Sequence, residues 1–270
     1  MSTTADPGAD DLVLSARERR ERIARLVEED QRTSVAELTA RFGVTDASIR
    51  RDLTILEDAG RLRRIHGGAV ARGGQLKNGV YSTKLRARRE QKIRIAIVAA
   101  RLVRPGEIVI FDSGTTVAQV AAEMPPALRA AHAITAVTHS LPVIEEIGSW
   151  DGPHLVCLGG LYMPDYRAFV GPQAIASLRD LTADVTFVGC DGLTIENGLT
   201  TPHVLVAEVG AAAAARARRV IAVADSSKLG RQGFTPIVAL GDVDVLITDA
   251  EADPELVAEI RAAGVEVLLA

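Results

Sequence analysis

The stretch Ile108-Val109-Ile110-Phe111-Asp112-Ser113-Gly114-Thr115-Thr116-Val117 reads as four apolar residues, a turn of small polar residues around one glycine, and the start of a helix. A short unbroken apolar run suits a strand buried on both faces, and a helix entered at once carries the chain back over the sheet. The alternation continues to the C-terminus. Apolar runs stand at residues 134–137, 155–158, 185–188, 220–223, 243–247 and 265–269, with Ala-rich helical segments between them. Residues 93–270 are therefore expected to be an α/β domain with a mostly parallel sheet covered on both faces.

The turn after the first strand has its own chemistry. Asp112, Ser113, Gly114, Thr115 and Thr116 lie at the carboxyl end of a strand and at a helix N-terminus, where backbone N–H groups lack intrahelical partners. Such a place binds phosphate through oriented amides and the helix dipole. The same side chains could equally serve only to cap the helix. Other strand ends carry Thr138-His139-Ser140, Gly159-Gly160 and Gly189-Cys190-Asp191-Gly192. Glycines there permit close backbone approach or an ordinary turn. Asp191 suits sugar hydroxyls or its own turn. Lys228, after Ala224-Asp225-Ser226-Ser227, is the one lysine of residues 93–270 beside eleven arginines, and a compact ammonium suits a phosphate or a carboxylate.

The opposite end of the chain is basic. Residues 1–92 hold 19 Lys and Arg against 14 Asp and Glu, whereas residues 93–270 hold 12 against 21, so a net charge of −4 hides a split that suggests a polyanion partner for the first part. Met1 to Asp11 is polar, without the apolar core of a secretory signal, and residues 1–14 are expected to be a disordered tail. A helix from Ser15 to about Glu29 follows. Ser34 and Glu37 form a capping box for a second helix, Gly43 closes it, and Thr45 opens a third that ends before Gly60. Two short strands around His66-Gly67-Gly68 would form a wing. This is a winged helix-turn-helix over residues 15–71, with residues 72–92 as a linker.

On the third helix Ile49, Leu53 and Leu56 share the inner face. Ala47, Arg51, Thr54 and Asp58 lie opposite, flanked by Ser48 and Arg50. Small residues let a helix enter the major groove, and arginine binds guanine edges or phosphates. Ser34, Thr45, Ala47, Ser48, Arg50, Arg51, Thr54, Arg64 and His66 are the candidate DNA contacts. Asp52, close to the inner side, reads as a structural partner for a nearby arginine.

The runs Thr45-Asp46-Ala47-Ser48-Ile49-Arg50-Arg51-Asp52-Leu53 and Arg64-Ile65-His66-Gly67-Gly68-Ala69 resemble the DeoR family of bacterial transcriptional regulators. So do the Asp112–Thr116 turn, Gly159-Gly160, Gly189-Cys190-Asp191-Gly192 and Asp225-Ser226-Ser227-Lys228. The resemblance implies a winged helix-turn-helix joined to a sugar-phosphate sensor of the ribose-phosphate isomerase type, usually in a repressor. It implies an effector site at Asp112, Ser113, Gly114, Thr115, Thr116, Thr138, His139, Ser140, Gly159, Gly160, Asp191 and Lys228. Two residues depart from the family pattern: Cys190 where alanine is common, and His139 where asparagine is frequent.

Composition narrows the function classes. Hydrophobic residues make up 47%, so the chain can fill a core, and no apolar stretch approaches a membrane span. Cys157 and Cys190 suit a reducing cytoplasm and supply no disulfide framework. His132, His139, His154 and His203 lack metal-ligand spacing, so no metal or cofactor is expected. The expected protein is a cytoplasmic repressor that binds operator DNA as a dimer or higher oligomer and responds to a phosphorylated sugar or polyol. The alternative is a sugar-phosphate isomerase with an accessory DNA-binding domain, but no acidic residue follows Asp191-Gly192 closely; Glu196 comes late.

Overall fold

The computed structural model describes residues 15–30, 32–65, 67–71 and 80–270, which fall into two compact units divided after Gly79. The expected tail over residues 1–14, His66 of the wing, and residues 72–79 of the expected linker lie outside the described residues.

The first unit runs α1 (Ala16–Asp30), β1 (Arg32–Ser34), α2 (Val35–Phe42), α3 (Asp46–Asp58), β2 (Leu62–Ile65) and β3 (Gly68–Ala71). Ile23, Val27, Leu38, Ile49, Leu53 and Leu56 meet in its core, so the periodicity of α1 to α3 is satisfied by mutual burial. Local capping sets the helix ends. Ser34 Oγ accepts the Glu37 N–H while the Glu37 carboxylate takes the Ser34 N–H, and Gly43 closes α2 at φ 63°. Strand β1 has no apolar signature and was not expected. It exists because β3 pairs with it as well as with β2. Gly68 permits this approach, since a Cβ there would stand 2.1 Å from the Thr33 carbonyl oxygen.

The second unit opens with α4 (Val80–Arg86) and α5 (Arg89–Ala100). The linker expected over residues 72–92 therefore needs correction: from Val80 the chain is helical and part of the second unit. Lys84 and Arg88 face carboxylates, and Tyr81 and Lys92 are buried, each 5% exposed. Between the two helices Arg88 adopts a left-handed backbone at φ 52°, which costs a non-glycine residue about 1–3 kcal/mol. Its guanidinium is held by Asp225 (3.5 Å), Asp249 (3.3 Å) and Glu251 (2.5 Å).

Then follow β4 (Ile108–Phe111), α6 (Thr115–Ala122), α7 (Pro126–Arg129), β5 (Thr135–Thr138), α8 (Leu141–Ile147), β6 (His154–Cys157), β7 (Leu161–Met163), β8 (Ala168–Val170), α9 (Pro172–Leu178), β9 (Ala183–Val188), β10 (Gly192–Thr194) and β11 (Gly198–Thr201). The chain ends with α10 (Val204–Ala214), β12 (Ala217–Val223), β13 (Thr235–Val238), β14 (Val245–Thr248), α11 (Pro254–Ala262) and β15 (Glu266–Leu269). Seven strands form one sheet in the order β15-β14-β12-β9-β4-β5-β6, and every pairing in it is parallel. All seven apolar runs of the sequence supply them, with strand ends within three residues of the expected ones. Burial is near complete along β14 and falls off at the edge strands β6 and β15, as a sheet covered on both faces requires.

The strand order locates the site. From β4 the chain steps outward through β5 and β6. From β9 it steps the other way through β12, β14 and β15. The topological switch point lies between β4 and β9, and ligands of open α/β sheets bind at the carboxyl ends of the strands there. The small antiparallel sheet β10-β11-β13 and the hairpin β7-β8 were not anticipated.

Candidate functional site

In the first unit, α3 presents Thr45, Ala47, Arg50 and Arg51 exposed on its outer side, with Ser48 half-buried beside them. Thr45 Oγ1 caps α3 by accepting the Ser48 N–H at 3.3 Å. Among the described residues the guanidinium groups of Arg50 and Arg51 have no hydrogen-bond or ion-pair partner, so they are free to meet an external anion. Thr54 and Arg64 are committed to each other: Arg64 Nη1 donates to Thr54 Oγ1 at 2.7 Å, and the Arg64 N–H donates to Glu57 at 2.8 Å. They tie the wing to the reading helix. The Ser34 hydroxyl is engaged in its capping box.

Asp52 anchors that helix from behind. It is 3% exposed and accepts from Arg19 Nε at 2.7 Å and Arg20 Nη1 at 3.4 Å. The sequence reading of Asp52 as a structural ion-pair partner holds. Arg51→Ala should therefore weaken operator binding without unfolding the unit. A base contact would cost about 1–3 kcal/mol at one position of the operator, and a phosphate contact would cost uniformly and flatten the salt dependence. A mobility-shift titration at two salt concentrations separates these outcomes, and unchanged affinity removes Arg51 from the interface.

In the second unit a cleft of about 810 Å³, its open mouth included, lies at the switch point. Asp112, Ser113, Gly114, Thr115 and Thr116 line it, with Asp191 from the end of β9 and Lys228 from the turn after β12. Gly114 is the N-cap of α6 at φ 122°, a conformation closed to other residues at low cost, and no side chain caps the helix. The hydroxyls and the carboxylate of the turn are thus not spent on the helix end. Its first N–H groups stay available.

Four cations line the cleft: Lys84, Arg88, Lys92 and Lys228. Lys84 pairs with Asp191, whose other oxygen accepts from Thr201 Oγ1 at 3.0 Å. Lys92 Nζ donates to the carbonyl oxygens of Lys84 and Ala87. Burial lowers its pKa to about 8, with Asp225 opposing the shift. Among the described residues Lys228 Nζ has no acceptor or ion-pair partner. Tyr81 also lines the cleft, and its buried hydroxyl has no hydrogen-bond partner among the described residues, while burial pushes that phenol upward. The Cys190 thiol is pushed up to about 12 by desolvation, with the Asp191 charge adding to it, so it forms an inert apolar part of the wall.

Five expected site residues do not line the cleft. Thr138 is fully buried, and its hydroxyl donates to the Phe111 carbonyl oxygen at 2.7 Å. His139 lies behind Asp112. Ser140 is the N-cap residue of α8 and bridges to Ala168. Gly159 and Gly160 are exposed. Gly160 exists for packing, since a Cβ would meet the Val170 carbonyl oxygen at 2.5 Å. The parallel pairing of β5 and β6 carries these strand ends to the far side of β4 from the switch point. Conversely, Tyr81, Lys84, Arg88 and Lys92 were missed as site residues. Their basic run was legible, but its position at the cleft was not.

Two outcomes follow for the wall. Lys228→Ala should weaken binding of a phosphorylated ligand about ten- to a hundredfold, the range of a charge-assisted hydrogen bond. Equal affinity by calorimetry would make Lys228 an ordinary solvated residue. Tyr81→Phe should weaken it by about five- to tenfold with an unchanged melting curve, because the hydroxyl makes no hydrogen bond among the described residues. A loss of stability instead would place that hydroxyl in the fold rather than in the site.

The profile of the DeoR-like helix-turn-helix domain matches residues 19–73, and that of the DeoR C-terminal sensor domain matches residues 87–250. The chain is 36% identical over 251 residues to the HTH-type transcriptional regulator GlpR of Haloferax volcanii, covering 93% of this chain and 96% of that protein. It is 31% identical to the transcriptional repressor AccR of Agrobacterium fabrum, over 87% of this chain and 90% of the relative. Identity to the transcriptional repressor GlcR of Bacillus subtilis is 29%, over 90% and 92%. Ribose 5-phosphate isomerase A of Methanocaldococcus jannaschii aligns with 53% of this chain and 55% of its own at 18% identity, a distant likeness with a TM-score of 0.39.

Proposed function

Because the chain belongs to the DeoR family of transcriptional regulators, we propose that it is a DNA-binding repressor of a sugar or polyol operon, controlled by a phosphorylated sugar that enters the cleft of the second unit. The observation that carries the effector is the pairing, in one cleft, of uncapped N–H groups at α6 with Lys228, which has no partner among the described residues. Both favour a doubly charged anion. Asp191 and the turn hydroxyls supply acceptors and donors for a sugar. The free Arg50 and Arg51 on α3 supply the DNA contact. Family membership favours a homo-oligomer on a repeated or palindromic operator and a cytoplasmic protein. Among the described residues no helix is long and apolar enough to cross a membrane.

The isomerase reading is weaker. Glu196 stands on the turn between β10 and β11 and does not line the cleft. The relatives are named as regulators and repressors. A thermal-shift screen over phosphorylated sugars, followed by an operator titration with each hit, tests the proposal. A ligand at a hundredfold over its Kd should stabilise by about 2.7 kcal/mol. Conversion of pentose or hexose phosphates into isomers would favour the enzyme instead.

A further inference from the structure

Both ring nitrogens of His139 face acceptors. Nδ1 is 2.8 Å from the Phe169 carbonyl oxygen, and Nε2 is 2.8 Å from Asp112 Oδ1. A neutral imidazole has one N–H and one lone pair. A carbonyl oxygen has no proton to give, so Nδ1 carries the hydrogen of the first bond. Nε2 then faces a carboxylate oxygen, and a lone pair against a carboxylate at this distance is repulsive. The contact closes only with a further proton between Nε2 and Oδ1. Both side chains are buried, 1% and 3% exposed, which leaves little water to replace it.

Asp112 is also the first residue of the turn beneath the cleft. Its Oδ2 has no hydrogen-bond partner among the described residues, and α10 passes it at Gly210, where a Cβ would stand 3.6 Å away. A bare carboxylate here would oppose the anion that the α6 N–H groups attract. We propose that His139 is a specificity-determining positioning residue: as an imidazolium it neutralises Asp112, so that the turn admits a phosphate dianion while Oδ2 accepts a ligand hydroxyl. The inference rests on the reading of the cleft as a phosphate-ester site.

Two measurements on the full chain test it. Nitrogen-15 NMR of histidine-labelled protein should show protons on both ring nitrogens of His139 near neutral pH. In Asp112→Asn the new amide donates to Nε2, so that nitrogen should lose its proton and become an acceptor. An unprotonated Nε2 in the wild type, or a signal that Asp112→Asn leaves unchanged, overturns the proposal. Calorimetry with inorganic phosphate and a pentose 5-phosphate gives the second readout. His139→Gln should weaken both by about tenfold or more, because an unneutralised charge then stands near the anion. Adding Asp112→Asn to His139→Gln should restore most of the inorganic phosphate affinity, which a purely structural role of His139 would not allow. Equal affinity in His139→Gln, or no recovery in the folded double variant, overturns the inference alone. Failure of the wild type to bind any phosphate ester overturns the proposed function, and the inference with it.

Discussion

Thr115→Glu is expected to abolish the response to a phosphorylated sugar and to leave operator binding intact. Thr115 is the first residue of α6 and lines the cleft. Its substitution puts a fixed carboxylate beside the N–H groups that would take the ligand's phosphate. A unit charge a few ångströms from a dianion in a partly desolvated cleft costs several kcal/mol, which reads as a loss on the order of a hundredfold or more. The helix itself accepts the change. The first turn of α6 has no acidic residue, and one there is favourable by about 0.3–1 kcal/mol. The measurement is an operator titration with and without ligand, beside a melting curve. A normal ligand response from the folded variant would show that this turn is no phosphate site, and the site would have to be sought around Asp191 and Lys228.

Asp52→Ala should destabilise the DNA-binding unit more than any change on its outer face. The carboxylate is buried and holds Arg19, whose side chain is 14% exposed, at 2.7 Å. Removing it strands a largely desolvated guanidinium. Loss of one partner of a fully buried pair costs about 3–5 kcal/mol, and the residual exposure of Arg19 and Arg20 reduces this to about 2–3 kcal/mol. Calorimetry of the full chain should show an earlier transition for the first unit, with the second unit's transition unmoved. Asp58→Ala, on the exposed end of α3, should stay within about 0.5 kcal/mol of the wild type. If the two variants melt alike, Asp52 is not the anchor of α3.

Much of the architecture was legible before any coordinates. The helices of the first unit announce themselves through local chemistry: Ser34 with Glu37, Gly43, and Thr45 each act within four residues of where they sit. The seven strands of the large sheet are legible because burial on both faces demands continuous Val and Ile. Strands β1, β7, β8, β10, β11 and β13 are too short to show such runs; β7–β8 and β10–β11 are local hairpins, whereas β1 and β13 pair with strands distant in sequence. The segment Val80–Arg86 misled for the same reason. Its basic, polar composition reads as a linker, and only the cleft residues opposite make it a helix with a buried tyrosine.

By itself, the sequence determined the two-part organisation, the parallel sheet, the reading helix with its exposed arginines, and the polar turn at Asp112–Thr116. Each of these is a local property, set by periodicity, capping or one glycine. The tertiary structure alone decided which strand ends share a site. The residue pattern treats the ends of β4, β5, β6 and β9 alike, but the reversal of strand order between β4 and β9 puts Asp112–Thr116 and Asp191 at one mouth and leaves Gly159 and Gly160 outside it. It also decided that Lys84, Arg88 and Lys92 complete that mouth and that His139 stands behind Asp112. Strand order is settled by long-range packing of the whole core, which no short window of residues contains.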